Sequence, residues 1–472
     1  MSIMNLKNKF WNNIIFAFLA QGISLFLSVL MSLIVPKFLT VRDFGYWQLF
    51  IFYFGYVGFF HFGLNDGVYL KYGGKSYDEM DKPLLGSQYK IAAVLQSVMA
   101  IIFIFFCFFI IDDNNRKFVI LMIGIVMVLN NLSLYLGFIF QAANETKWFS
   151  ISVILDKLVF MVCLLPMIFI KVNDFRFYIV FYVTGKVAAL VYSIYKGKEI
   201  VFSKCLPLKI TFINMFDNIK IGINLMIANI ASTLIIGSAR FIIDGRWGIE
   251  AFGKFSLSMS IINFVLLFIS QVSMVLFPML RNVNSEQQSV LYKGIRDGLS
   301  LFLPLAFLCY APLCYVMALW LPQYKESLIY LGLLLPICTF NGKMNLLCTT
   351  YFKVFRKEKN LLMVNVFAMV LSLILSLLGA YIFDNIIIVA VFLVLSIGIR
   401  SYISELYIAK IMNSNIILDI IMETVIVIAF MFSTWRFSLL KSFIIILFVY
   451  LVFALINAHK VKRILSFISK GK

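Results

Sequence analysis

The chain has 472 residues, of which 62% are hydrophobic and 13% charged. Its mean hydropathy is +0.97; a soluble domain carries about 25% charged residues, so a water-soluble protein is excluded. The net charge is +19, and no stretch is both polar enough and long enough to form an ectodomain.

A helix crossing the bilayer core takes about 20 apolar residues, and division at charge clusters and turn residues predicts about fourteen spans. The first, at about 11–35, follows Lys7 and Lys9. It is longer than a signal-peptide core, has no Ala-x-Ala site, and reads as a retained helix. Five more follow at about 46–64, 88–111, 118–140, 149–170 and 177–195. After a polar stretch the pattern resumes at about 221–243, 253–277, 298–320, 328–351, 361–383 and 386–408. The last pair is predicted at about 416–435 and 440–458. The fold class is therefore all-α: a polytopic membrane protein of two pseudo-repeated six-helix lobes and a C-terminal helix pair. The expected organisation is an N-terminal lobe over 1–200, a connecting loop over 201–220, a C-terminal lobe over 221–410, and the extra pair with a basic tail over 411–472.

The repeat rests on a shift of 208 residues, which sets Val41 to Leu49 beside Ile249 to Leu257. Both stretches read apolar, charged, any, Phe-Gly, any, aromatic, polar, Leu, at Phe44-Gly45 and Phe252-Gly253. Each half thus opens with a long helix, a short loop and a helix expected to begin at Phe-Gly. Repeated lobes with a substrate site between them are a common transporter build.

Taking the N-terminus as cytoplasmic, roughly 25 of the 41 lysines and arginines fall on the inner side, about 11 in outer loops and about 5 within spans. Both termini are expected inside. The positive charge is then explained by topology and contact with the inner leaflet, without nucleic acid. The longest inner loops, near 65–87, 196–220 and 278–297, hold only about 20 to 25 residues, so function is expected between the helices. The seven cysteines form no CxxC pair, and no Walker loop, nucleophile elbow or zinc motif is present; no cofactor or metal is implied.

A charge at the bilayer centre costs ~2.5 to 3.5 kcal/mol, so the intramembrane cations Lys157, Lys186, Arg240, Lys343 and Arg400 cannot all face lipid. The intramembrane anions are Asp156, Glu405 and Glu423, with Asp66 at the inner end of the second span. Lys186 and Lys343 have no acid three or four residues away in their own spans. Arg240 has Asp244 four residues on, which allows an ion pair. Arg400 and Glu405 are five apart and turn away from each other, as do neighbouring Asp156 and Lys157; Lys157 is expected to snorkel. The surplus of cations argues for an anionic ligand such as a diphosphate, unless pairing between helices consumes it. The candidate substrate residues are Lys186, Arg240, Lys343 and Arg400, and the candidates for ion coupling are Asp66, Glu405 and Glu423. His61, alone near an interface, is more often solvated or capping than a proton relay. Pro166, Pro278, Pro304, Pro312 and Pro336 predict kinks, with Pro304 and Pro312 a possible hinge.

Pro36 to Tyr46, Phe62 to Tyr72, Phe252-Gly253 and Leu276-Phe277-Pro278 make the chain resemble the polysaccharide-transport flippases, which export O-antigen and capsule repeat units. These share a superfamily with the lipid II flippases and the multidrug and toxin extrusion transporters. The resemblance implies two six-helix lobes around a cationic cavity in the bacterial cytoplasmic membrane. It also implies alternating access, in which a polyprenyl-diphosphate-linked oligosaccharide is turned from the inner to the outer leaflet. Membrane lipids, and a polysaccharide polymerase with its chain-length machinery, are the implied partners. From Trp11 to Val35 the first span contains no Arg, Lys or Asp, unlike the lipid II branch, so a peptidoglycan precursor is not the expected substrate. The alternatives are an ion-coupled antiporter for drugs or organic solutes, which the cation surplus disfavours, and a membrane-embedded polysaccharide polymerase or ligase, which the short outer loops disfavour.

Overall fold

The computed structural model describes residues 3–281, 285–458 and 460, without side chains for 3–14, 17, 268, 270–279, 281, 285 and 286. Pro278 with its neighbours Leu276 and Phe277, and the basic tail from 461 onward, therefore lie outside the described side chains or residues. Among the described residues there is helix and turn and no strand.

Helix α1 runs from Ile3–Val29 through a π turn at Leu30–Ile34 to Val35–Phe38. Helix α2 has two parts, Val41–His61 and Leu64–Tyr72, bent by 56°. Then follow α3 (Lys82–Ile110), α4 (Asn114–Ala142), α5 (Thr146–Ile170) and α6 (Phe175–Lys196). A continuous helical path over Leu208–Arg281 is interrupted at Gly248, where φ is 79° and ψ −174°; its parts, 208–247 and 249–281, are α7 and α8. Helix α9 lies within Gln287–Trp320 and α10 is the pair Pro322–Leu334 and Pro336–Val354, bent by 45°. The last four are α11 (Glu358–Ile382), α12 (Ile386–Ile411), α13 (Ile417–Arg436) and α14 (Leu439–Ile456). Among the described residues eleven helices are long and apolar enough to cross a membrane, or 13 with each bent pair taken as one span. Dividing the long path at Gly248 gives every one of the fourteen expected spans a helical counterpart. The chain is a multi-pass membrane protein.

Side chains that cap free N–H groups set many of the starts. Thr40 Oγ1 accepts from the Asp43 N–H at 3.1 Å at the head of α2, Asp81 Oδ1 from Leu84 at 3.0 Å at α3, and Asp113 Oδ1 from Asn115 at 2.8 Å at α4. Asp174 does the same for α6 and Asn385 for α12. Each supplies an oxygen that the first turn lacks. Helix α2 consequently begins at Val41, three residues before the expected Phe-Gly start. The cap Thr40 and the break at Gly248 stand 208 positions apart, as do the starts of α4 at Asn114 and α10 at Pro322.

The expected long polar loops are largely helical. Residues 64–72 extend α2, 208–220 open α7, and helix resumes at Ser285 ahead of α9. Apolar count is a test for membrane crossing and misses helix outside the bilayer. In 208–220 the exposed Ile210, Phe212, Ile213 and Phe216 are interspersed with exposed Lys209, Asp217 and Lys220, while Thr211, Met215 and Asn218 are buried.

The chain forms two compact units, 1–230 and 231–472. In the first, Trp47, Phe50, Phe160, Tyr178 and Tyr182 build an aromatic core, with Trp47 fully buried and its ring 6.1 Å from that of Phe160. The opening of α7 also packs backbone to backbone on α2. A Cβ on Gly67 would lie 1.8 Å from the Asn218 carbonyl oxygen, and one on Gly222 2.1 Å from that of Gly63. Only glycine, with no Cβ, permits so close a backbone approach. In the second unit α13 and α14 join the body: Phe307 stacks on Phe430 at 4.4 Å, and the Tyr450 hydroxyl donates to the Leu301 carbonyl at 3.1 Å. Pro304 sits in a break of α9 and Pro336 at the bend of α10, while Pro166 lies inside continuous α5.

Candidate functional site

The sequence-derived site residues fall into separate environments. In the first unit α5 and α6 meet at Gly185, where a Cβ would stand 2.4 Å from the Asp156 carbonyl oxygen. That approach puts Lys186 beside Asp156, with Nζ to Oδ2 at 2.9 Å. Lys157 Nζ lies 3.3 Å from the same oxygen. The expectation that adjacent Asp156 and Lys157 diverge is thereby corrected: their Cβ bonds do point apart, but the four-carbon lysine stem is long enough to reach back. Both ammonium groups rest on aromatic faces, Lys186 over Phe54 at 4.7 Å and both over Tyr182 at 5.4 Å. Two cations thus share one carboxylate, and ring faces supply the remaining stabilisation. The cluster carries one positive charge in excess.

In the second unit the arrangement is an alternating chain. Lys343 on α10 donates to Glu405 Oε2 on α12 at 2.6 Å and to Glu423 Oε2 on α13 at 2.5 Å. Glu405 Oε1 accepts from Arg296 Nε on α9 at 2.8 Å. Arg296 also pairs with Asp419 on α13, and Asp419 Oδ1 with Lys460 beyond α14 at 2.6 Å. Three acids and three bases alternate, tying five helical segments together with no net charge. Lys343, Glu405 and Glu423 are almost completely buried, and Glu423 Oε1 has no hydrogen-bond partner. The far end opens on a cleft of about 770 Å³ lined by Arg296, Asp419, Asn457 and Lys460.

Lys343 was expected to carry free positive charge; the structure gives it two carboxylates from other helices. Arg296, Asp419 and Lys460 were missed, because sequence placed Arg296 in a loop and Lys460 in the tail. A signal existed for Arg296: it belongs to an amphipathic stretch and stands four residues from Tyr292 and Ser300, all three buried.

The two arginines are held differently. Arg400 on α12 is 5% exposed; its Nε donates to Asn365 Oδ1 at 2.9 Å and its Nη2 to Ser232 Oγ at 3.0 Å. Among the described residues it has no acid in an ion pair, and Glu405 is engaged elsewhere, as the five-residue spacing implied. Arg240 donates to Ser256 Oγ at 2.8 Å and lies over the ring of Phe252, 5.0 Å from its centroid. Phe252 is the phenylalanine of the second Phe-Gly motif. Asp66 is buried, with Oδ2 3.7 Å from His61 Nε2. Among the described residues no group of acids, histidines and cysteines is arranged to hold a metal ion.

The fold is similar to those of solved membrane proteins. The chain is similar over 95% of its length, and 99% of the other chain, to the lipid II flippase MurJ in its inward closed conformation, with a TM-score of 0.65 at 15% identity. An inward-facing multidrug resistance MATE family transporter of the MOP superfamily matches over 84% of this chain and 94% of that one, with a TM-score of 0.62 at 11% identity. At such identities the likeness concerns the fold. A family model described as polysaccharide biosynthesis protein matches residues 10–284, more than half of the chain, and the protein belongs to that family. No curated protein matches.

Proposed function

We propose that the protein flips a polyprenyl-diphosphate-linked oligosaccharide repeat unit from the inner to the outer leaflet of a bacterial cytoplasmic membrane, by alternating access, for synthesis of a surface polysaccharide such as O-antigen, capsule or exopolysaccharide. Both termini are then cytoplasmic. The family match supports the pathway, and the observation that carries the anionic substrate is the pair of ammonium groups on Asp156. A cation with half a counter-ion, in a site built of rings, is a receptor for a second negative charge. Arg400, which donates to the neutral oxygens of Asn365 and Ser232, supplies further positive charge, and Arg240 is a further proposed contact. Lys343 enters this proposal through its network, where Glu405 and Glu423, with Asp66 in the other unit, are the groups proposed for ion coupling.

Deleting the gene is expected to leave the lipid-linked repeat unit on the inner leaflet. Replacing Lys186→Gln at matched protein level is expected to lower surface polysaccharide about tenfold, the size of one lost charge-assisted phosphate contact. Normal export from the variant removes support for the lysine pair as substrate contact. Accumulation of an organic cation in the deletion strain, with polysaccharide unchanged, points instead to an antiporter.

A further inference from the structure

We propose that His61 is a proton-binding site that holds the break in α2 when neutral and releases it when protonated. The helix tightens into a 3-10 turn at Gly58–His61, passes through Phe62 at φ 51° and Gly63 at φ 83°, and resumes at Leu64. A phenylalanine in the left-handed region is strained and persists only when its surroundings hold it. Four hydrogen bonds do so. The Phe62 N–H donates to the Phe59 carbonyl at 3.1 Å, Asn131 Nδ2 to the Val57 carbonyl at 3.0 Å, Gln96 Nε2 to the Phe60 carbonyl at 2.6 Å, and the Gly63 N–H to His61 Nδ1 at 3.0 Å. Only the last involves a group that can take up a proton.

An imidazole nitrogen accepts a hydrogen bond only while it carries no proton. With Nδ1 as acceptor, the neutral ring bears its hydrogen on Nε2, the atom that faces Asp66. A second proton goes to Nδ1 and sets N–H against N–H at Gly63. The charged ring is provided for on both sides. Asp66 is a counter-ion 3.7 Å from Nε2, and on the other side lies a cavity of about 130 Å³ lined by His61, Asn65, Gln96 and Asn131, among others. Asn131 Oδ1, in a residue 3% exposed, has no partner there. It is an acceptor in waiting for Nδ1–H, directly or through water.

The other elements lining this cavity bring no competing charge. Helix α3 contributes Gln96, α4 contributes Asn131 and Tyr135, and α7 contributes Met215 and Ile219. The Tyr135 hydroxyl is already donating to the Leu85 carbonyl at 3.0 Å. Asp66, on α2 itself, is the carboxylate that faces the ring. The consequence reaches α7, because a Cβ on Gly63 would be 2.8 Å from the Ile223 nitrogen; the break cannot relax without moving that contact. This inference goes beyond the transport reading and does not depend on the substrate assigned.

The test is hydrogen–deuterium exchange of the full chain in lipid nanodiscs, followed in peptides covering 58–68 and corrected for the intrinsic pH dependence of exchange. Lowering the pH from about 7.5 to about 4, a range wide enough to charge a buried imidazole, is expected to reduce protection there at least about tenfold. His61→Asn keeps an acceptor near the Nδ1 position without titrating, and is expected to stay protected at both pH values. His61→Ala is expected to be unprotected at both. Wild-type protection that does not change with pH, or the same change in wild type and His61→Asn, overturns the proposal. That comparison stands even if His61→Ala fails to fold. Nitrogen-15 histidine spectra of the His459→Gln chain add a direct reading: the neutral ring must show its unprotonated nitrogen at Nδ1, and the opposite tautomer rejects the site.

Discussion

In the first unit two ammonium groups share the Asp156 carboxylate above a bed of rings, whereas in the second three bases alternate with three acids from Glu423 to Lys460. Both arrangements place lysine in apolar surroundings, and they answer the same electrostatic problem in opposite ways. The alternating chain satisfies its charges internally, so removing any member leaves the buried network with one unbalanced charge. The shared carboxylate leaves positive charge over, and its lysines keep 11% and 19% of their side-chain surface exposed. One build is suited to holding helices together, the other to receiving a ligand. Counting cations by span gives the two lobes similar totals; their use differs because the acids differ.

The largest expected effect is at the middle of the chain. Glu405→Gln removes the carboxylate that Lys343 and Arg296 share, and is expected to destabilise the protein by about 3–5 kcal/mol, read as a large drop in thermal midpoint in detergent. An unchanged midpoint erases the contrast between the two units. The corresponding loss for Lys186→Gln is expected to stay within ~1–2 kcal/mol, since Lys157 keeps Asp156 paired, so this variant should lose export while retaining its fold.

Arg400→Lys tests a middle case. A lysine keeps the charge but not the planar fork that reaches Asn365 and Ser232 together, and a loss of about 1–1.5 kcal/mol is expected. A larger loss, matching that at Glu405, would show that neutral partners bind α12 as firmly as the acid chain does. The smallest effect is expected outside the membrane, where Lys82 pairs with an exposed Glu199 whose carboxyl is held below its usual range by that lysine. Glu199→Gln should leave the thermal midpoint unchanged, because solvent screens such a pair.

Much of this was legible in the chain itself. The count and order of spans follow from runs of apolar residues, because a bilayer requires a fixed length of them. The repeat was visible at Phe44-Gly45 and Phe252-Gly253, and the helix starts at Val41 and after Gly248 keep its 208-residue spacing. What failed was the edge of each helix. Capping oxygens such as Thr40 and Asp113, and stretches of mixed charged and apolar residues such as 208–220, lie outside any hydropathy test. The candidate site was legible as a set of residues and not as a set of partners. That Lys186 and Lys343 lack acids in their own helices was correct, yet both find carboxylates on neighbouring ones.

The sequence by itself determined an all-helical membrane protein with a repeated half and more intramembrane bases than acids, because hydrophobic run length, spacing and charge are properties of the chain in one dimension. Only the tertiary structure decided that Lys343 is neutralised while Lys186 shares its acid, that Arg296 and Lys460 complete a buried chain, and that His61 Nδ1 accepts from Gly63. Ion pairs and hydrogen bonds act over about 3 Å, and which atoms come that close is set by how helices far apart in sequence cross, down to glycines such as Gly67 and Gly185 that admit a backbone where any side chain would stand.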